Sequence, residues 1–319
     1  MKKKLTRFMS LICVALFLTG ALFLAGCSGD GEQASESTAG KSAEEIATTA
    51  FTNLEAAKNY DIDMNMLMSM EMMGQKMDLT MNGNGTYFND PLKMQMKMKM
   101  KMETGMDLGE PMEEESIDTY FIQEGNSYVM YINSAGIWIK STLPEDQLSS
   151  QMMQMSPTDS MDLYMKNLKE AVNEGEEKIG DVNTDKIKLV ASGDIFQELM
   201  ENMDMSEALG LDGSMDGLSD DFLKDLGDLT YYVWVNKADS SLVKVQMDLG
   251  PIMRSLGATM TGENAPPEFA DMSDMEKALL KQTFENITFT LDYSIKNIDK
   301  AADFTLPEAA ASAIETPLS

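Results

Sequence analysis

Hydrophobic and polar residues alternate with a period of two over long stretches of this chain. Ile62, Met64, Met66, Met68, Met70 and Met72 are interleaved with Asp61, Asp63, Asn65 and Ser69. After a turn signal at Gly74 and Gln75, Met77, Leu79 and Met81 resume the pattern. Beyond Asn89, Asp90 and Pro91, one side of the chain carries Leu92, Met94, Met96, Met98, Met100 and Met102, and the other carries Lys93, Gln95, Lys97, Lys99 and Lys101. Alternation of this kind predicts an antiparallel meander with one apolar and one wet face. Ahead of it, Ser42 followed by Glu44 and Glu45 opens a helix over 42–58, with Ile46, Ala50, Phe51, Leu54 and Ala57 on one side. Further strands are predicted at 117–123 and 127–133, joined at 124–126, and at 136–141 around Trp138.

The middle of the chain changes period. Residues 144–155 and 157–174 carry apolar side chains at helical spacing, notably Met161, Met165, Leu168 and Val172. A strand at 184–191 precedes a second helical stretch over 194–205, with Ile195, Leu199 and Met203 on one stripe and Phe196 and Met200 beside it. Residues 210–228 read as an acidic loop. Strands return at 229–236 and 242–249, and 250–273, with Pro251, Pro266 and Pro267, reads as a long connection. A helix at 274–281, a strand at 284–297 and an edge segment at 304–308 complete the order. The expected class is α+β: a strongly curved antiparallel sheet forming an unclosed half-barrel, with an N-terminal helix and a helical lid over its concave face.

The first residues do not belong to that domain. Lys2, Lys3, Lys4 and Arg7 precede an apolar run from Leu11 to Leu24 that is short for a membrane span, and Leu24-Ala25-Gly26-Cys27 opens onto a polar stretch. This arrangement resembles the bacterial lipobox, which implies a signal peptide over 1–26 and diacylglycerol on the Cys27 thiol. The expected organisation is then a lipidated cysteine and flexible tether at 27–41, one domain over 42–308 and a poorly ordered tail at 309–319. The expected location is the extracytoplasmic face of the cell membrane.

Removing residues 1–26 takes away four positive charges and no negative ones, so the formal charge moves from -28 to -32. That charge argues against nucleic acid as a partner. Cys13 leaves with the signal and Cys27 is consumed by lipidation, leaving no thiol for a disulfide, a zinc site or a nucleophile, and the chain has no histidine. Glu113, Glu114 and Glu115, and the acidic run over 216–225, lack the spacing of a calcium loop. No phosphate-binding, serine-hydrolase or zinc-protease motif is present, so neither a catalytic residue, a resident metal nor a cofactor is expected.

The candidate chemistry therefore lies in the methionines, which number 32. Residues two apart on a strand share a face about 6.5–7 Å apart, so Met94 to Met102 form a thioether stripe. Core packing is one reading, because methionine fills irregular gaps. A second is an adaptable wall for acyl chains, lined by Met64, Met66, Met68, Met70, Met72, Met77, Leu79, Met81, Met94, Met96, Met98, Met100 and Met102. In that reading Met161, Met165, Met200 and Met203 form the underside of the lid. Cu(I) binding by Met-x-Met pairs and sacrificial oxidation are two more.

The lipobox, the Ser42-Ala43-Glu44-Glu45-Ile46 helix start, the alternation from Tyr60 to Met72 and the closing Phe304-Thr305-Leu306-Pro307 together resemble lipoproteins of the Firmicutes type thought to share the half-barrel of LolA, LppX and LprG. The resemblance implies an unclosed antiparallel barrel with a helical lid, and a non-enzymatic protein that holds a lipid or acyl chain as carrier or sensor. The methionine load and the acidic surface depart from that pattern. The alternative is a structural or sensory envelope protein with a filled core.

Overall fold

The computed structural model describes residues 37–72, 74–105, 114–125, 127–144, 164–195, 226–262, 265 and 272–316. They form one 12-stranded sheet with helices against it. The strands are β1 (Asn59–Met72), β2 (Gln75–Phe88), β3 (Lys93–Thr104), β4 (Glu115–Glu124), β5 (Ser127–Ser134), β6 (Ile137–Pro144), β7 (Leu168–Ile179), β8 (Val182–Ala191), β9 (Leu229–Asn236), β10 (Leu242–Asp248), β11 (Thr288–Lys296) and β12 (Ile314–Glu315). Their order across the sheet is β12-β6-β5-β4-β3-β2-β1-β11-β10-β9-β8-β7. Neighbouring strands are antiparallel except β12, which lies parallel to β6. The sheet is open, since β7 and β12 stand at opposite ends of it. The closing of the chain onto its beginning is made by β11, whose Tyr293, Leu291 and Phe289 stand opposite Met64, Met66 and Met68.

The helices are α1 (Ala43–Glu55), α2 (Gly250–Thr261) and α3 (Asp274–Glu285). Helix α1 starts at a capping box: Ser42 Oγ accepts from the Glu45 backbone N–H, and the Glu45 carboxylate accepts from the Ser42 N–H. Its face of Ile46, Ala47, Ala50, Phe51 and Leu54 is buried. Those residues belong to a core with Met64 to Met70, with Ile187 and Leu189 of β8, and with Val233, Val245 and Leu291 between them. Helices α2 and α3 pack on each other and add Ile252, Met253, Met260, Leu280 and Phe284 to it. Strands β1 to β3 and β8 to β11 thus share one apolar interior under the helices, and the expected α+β class with an unclosed antiparallel sheet is the observed one.

Several elements differ from the sequence reading. Leu168 and Val172 lie in β7, not in a helix over 157–174. The segment LKEAVNEGEEKI has strong helix formers, but the turn at Gly180, with φ +56°, folds it back on β8, where Glu174 pairs with Lys186 at 2.9 Å and Glu170 with Lys188 at 3.6 Å. Partners across the sheet override propensity here. The first half of the supposed connection at 250–273 is α2; Pro251 sits in its first turn, where the missing N–H costs nothing. Helix α3 runs to Glu285, so β11 begins at Thr288 rather than at 284.

The domain is also longer at both ends than the expected 42–308. Thr38 is buried and its hydroxyl donates to Asp185 Oδ2 at 2.6 Å, while Ser37 Oγ donates to the Lys237 carbonyl at 3.0 Å. Past 308 the chain makes a 3-10 turn (Glu308–Ser312) and then β12. The edge strand expected at 304–308 is therefore at 314–315, and Phe304 and Leu306 pack instead on a separate cluster of Tyr120, Val129, Tyr131 and Trp138.

Candidate ligand-binding face

Strand pairing places the methionines in rows. Met66 of β1 stands opposite Met81 of β2, which stands opposite Met100 of β3; the next rows are Met68, Leu79, Met102 and Met64, Gly83, Met98. Gly83 interrupts its row with no side chain, and Met64 and Met98 close over it: a Cβ there would lie 3.2 Å from Met98 Cγ and 3.4 Å from Met64 Cε. Gly85 does the same for Met96, whose Sδ would be 3.0 Å from such a Cβ. The flexible thioether side chains lie across the glycines and level the surface.

Burial divides this face. On β1, next to β11, the exposures of Met64, Met66, Met68 and Met70 are 7%, 2%, 2% and 3%, so these are core side chains. Leu79 and Met96 are also buried. Met77, Met81, Met94, Met98, Met100 and Met102 are half-buried at the margin of that core. Met165 is half-buried against it as well, in a single helical turn before β7; Met161, Met200, Met203 and Cys27 lie outside the described residues. Among the described residues, the helices that cover the interior are α1, α2 and α3.

The face continues onto strands that the sequence reading did not single out. Met98 stands opposite Ile117, Met96 opposite Thr119 and Met94 opposite Phe121; Phe121 pairs with Met130, and Thr119 with Ile132 and then Ile139. All of these β4 to β6 side chains are half-buried, Ile137 at the end of the face is 60% exposed, and Phe121 stacks on Tyr128 with ring centroids 5.3 Å apart. On the opposite side of the same strands the alternate residues Tyr120, Val129, Tyr131 and Trp138 are buried under Phe304, Leu306 and Ala310. On β4 to β6, unlike β1 to β3, both sides of the sheet are therefore apolar. The signal was available in Tyr120-Phe121-Ile122, which does not alternate.

The wet face is clear on β1 to β3. Lys99 pairs with Glu114 at 3.0 Å, Lys93 with Asp303, and Lys296 with Asp63. Such exposed pairs contribute little to stability. A depression of about 460 Å³ lies at the strand ends, between Asp181, Val182 and Asn183 and the turn of Asn236, Lys237 and Ala238; its lining is mixed, and no methionine belongs to it. Among the described residues no cluster of three or more acidic groups is arranged to hold a metal ion, and no helix is long and apolar enough to cross a membrane.

A family profile matches residues 42–265, most of the domain. The chain belongs to DUF6612, a family of unknown function. No curated protein matches it. Among solved structures it is similar to LprF from Mycobacterium bovis, with 12% identity and a TM-score of 0.39 over 84% of this chain and 97% of that one. It is likewise similar to the Mycobacterium tuberculosis lipoprotein LppX, with 11% identity and a TM-score of 0.41 over 82% and 97%. A DUF1329 protein from Desulfovibrio piger gives 9% identity and a TM-score of 0.22 over 80% and 91%.

Proposed function

We propose that this DUF6612 protein is a membrane-anchored extracytoplasmic lipoprotein that holds a hydrophobic ligand of the acyl-chain class against the methionine face of its open sheet. The observation carrying the reading is that the apolar interior does not stop where the helices stop. It runs out across β3 to β6 as a half-buried surface of Met94, Met98, Met100, Met102, Ile117, Phe121, Met130, Ile132 and Ile139, ending at exposed Ile137. Unbranched thioether side chains adapt to chains of different length, and each sequestered methylene contributes about 0.8 kcal/mol before ordering costs. The lipobox at Leu24 to Cys27 supports the anchor. Met64, Met66, Met68 and Met70 serve this function as the packed inner margin of the binding surface, and the wall is formed by the half-buried methionines of β2 and β3 beside them.

The test is lipid mass spectrometry on the purified chain together with its Met98→Gln and Met98→Leu variants. Met98 is half-buried, so the polar variant folds, loses its bound lipid and is distinguished from the leucine variant, which retains it. Equal lipid content in all three, or none in the unaltered chain, overturns the reading. The near-complete burial of the β1 methionines favours a second one, a filled structural or sensory domain, which predicts a lipid-free protein from the outset.

A further inference from the structure

Methionine is the only readily oxidised sulfur in the folded domain, because both cysteines, Cys13 and Cys27, precede it. The side chains are arranged in grades of access. Met275 on α3 is 82% exposed; Met77, Met81, Met94, Met98, Met100 and Met102 are half-buried; Met66 and Met68 are 2% exposed. Leucine would bury a similar volume on β3, fix the packing better and resist oxidation. At the five inward positions from Met94 to Met102 the chain has methionine throughout.

We propose that the β3 stripe of Met94, Met98, Met100 and Met102 is a site of reversible sulfoxidation by peroxides, and that its oxidation releases the hydrophobic ligand. The inference rests on the function proposed above. In the chemical step a thioether Sδ attacks the outer oxygen of a hydroperoxide. The S–O bond forms as the O–O bond breaks, sulfur gives up two electrons, and the remaining oxygen leaves with the proton as water or an alcohol. Hydrogen peroxide is uncharged, so the acidic surface does not repel it. The product is a polar, chiral sulfoxide on a surface whose affinity is apolar. Met100 is paired with Met81 and Met102 with Leu79, so an oxygen added at either lies against an apolar neighbour on β2 and opposes burial of an acyl chain there. The β1 methionines at the far end of the same rows, sealed in the core, keep the fold intact while the surface changes.

The full chain is placed in phosphatidylcholine nanodiscs with a photoreactive palmitoyl phosphatidylcholine probe and titrated with hydrogen peroxide. Peptide mass mapping should show Met275 oxidised first, the β3 stripe next and Met66 and Met68 last, with loss of probe crosslinks tracking the β3 sulfoxides. In the variant carrying M94L, M98L, M100L and M102L, the crosslink level found before peroxide, whatever it is, should not fall under the same treatment, and methionine sulfoxide reductases supplied with a dithiol reductant should restore the crosslinks in the unaltered chain. Oxidation of the β1 methionines together with those of β3, or crosslinks that persist on fully oxidised β3, overturns the proposal. Absence of crosslinks before any peroxide removes the ligand-holding function and the release step with it, whereas the map still decides on its own whether the stripe is the modified site.

Discussion

Tyr231 carries a hydroxyl buried in the core with no hydrogen-bond partner among the described residues, and its ring packs on Tyr164 with centroids 5.4 Å apart. A buried polar group left unmade costs about 1–3 kcal/mol, so Tyr231→Phe is expected to be neutral or stabilising by up to that amount in urea denaturation. Its pH dependence has a definite sign. Burial pushes the hydroxyls of Tyr60, Tyr164, Tyr231 and Tyr293 well above the ordinary tyrosine range, because the phenolate is the form that burial penalises. The unfolded chain therefore gives up these protons first, near pH 10, while the folded chain keeps them. Their contribution is fully present below about pH 10 and is lost as pH rises toward the folded values, by about 1.4 kcal/mol per pH unit for each tyrosine. Tyr231→Phe should make the alkaline fall shallower by one such share; an unchanged alkaline slope would show that Tyr231 does not stay protonated in the folded state.

Helices α2 and α3 meet at a glycine. A Cβ on Gly257 would lie 2.2 Å from Phe284 Cβ and 2.4 Å from its Cγ, so Gly257→Ala must push the two helices apart and is expected to cost about 1–3 kcal/mol in denaturant midpoint measurements. Gly83→Ala provides the contrast, because its nearest neighbours are Met98 Cγ at 3.2 Å and Met64 Cε and the Lys97 carbonyl at 3.4 Å, so the methionines need give only slightly and the change should stay within about 1 kcal/mol. The same contacts explain what was legible beforehand. The face and order of β1, β2 and β3 follow from strict alternation with turn signals between them, and α1 from its capping box. Helix α2 was missed because Pro251, with Pro266 and Pro267, made 250–273 read as a connection. In the structure Pro251 sits at the helix start, Gly257 is the close approach to Phe284 and Gly262 is the C-cap. Strand β7 was missed because its partner strand, not its own sequence, determines its conformation. At the candidate site the methionines were legible as a face, but the grading of that face was not: β11 covers β1 from 220 residues and more away in sequence, and alternation carries no trace of such a neighbour.

At the scale of the whole molecule, the anchor proposed above would make the point where residues 37 and 38 join the sheet decide which end of it looks toward the membrane. Ser37 and Thr38 are held at Lys237 and Asp185, at the strand ends shared by the β7–β8 hairpin and the β9–β10 turn. If Cys27 carries the lipid, the ten Cα-to-Cα steps from it to Ser37 reach at most about 35 Å. The β1–β2 turn at Gly74 lies at the other end of the strands, and β1 alone has 14 residues, about 45 Å of extended chain. At the hairpin end Glu174, Glu176, Glu177 and Asp181 outnumber the lysines that pair with three of them, Lys186, Lys237 and Lys178, so the edge is negative on balance and anionic headgroups repel it weakly, while the outer surface of β3 offers lysines. The anchored domain is thus expected to stand on its β7–β8 end at the limit of its tether in anionic membranes and to settle closer in neutral ones. Fluorophores on Asp181→Cys and on Gln75→Cys, in vesicles with a headgroup quencher, check both statements. Stronger quenching is expected at 181 than at 75, with the signal at 181 weakening as anionic lipid is added. Equal quenching at the two sites would mean that the domain tumbles freely on its tether, and stronger quenching at 75 that it lies with the opposite end against the bilayer.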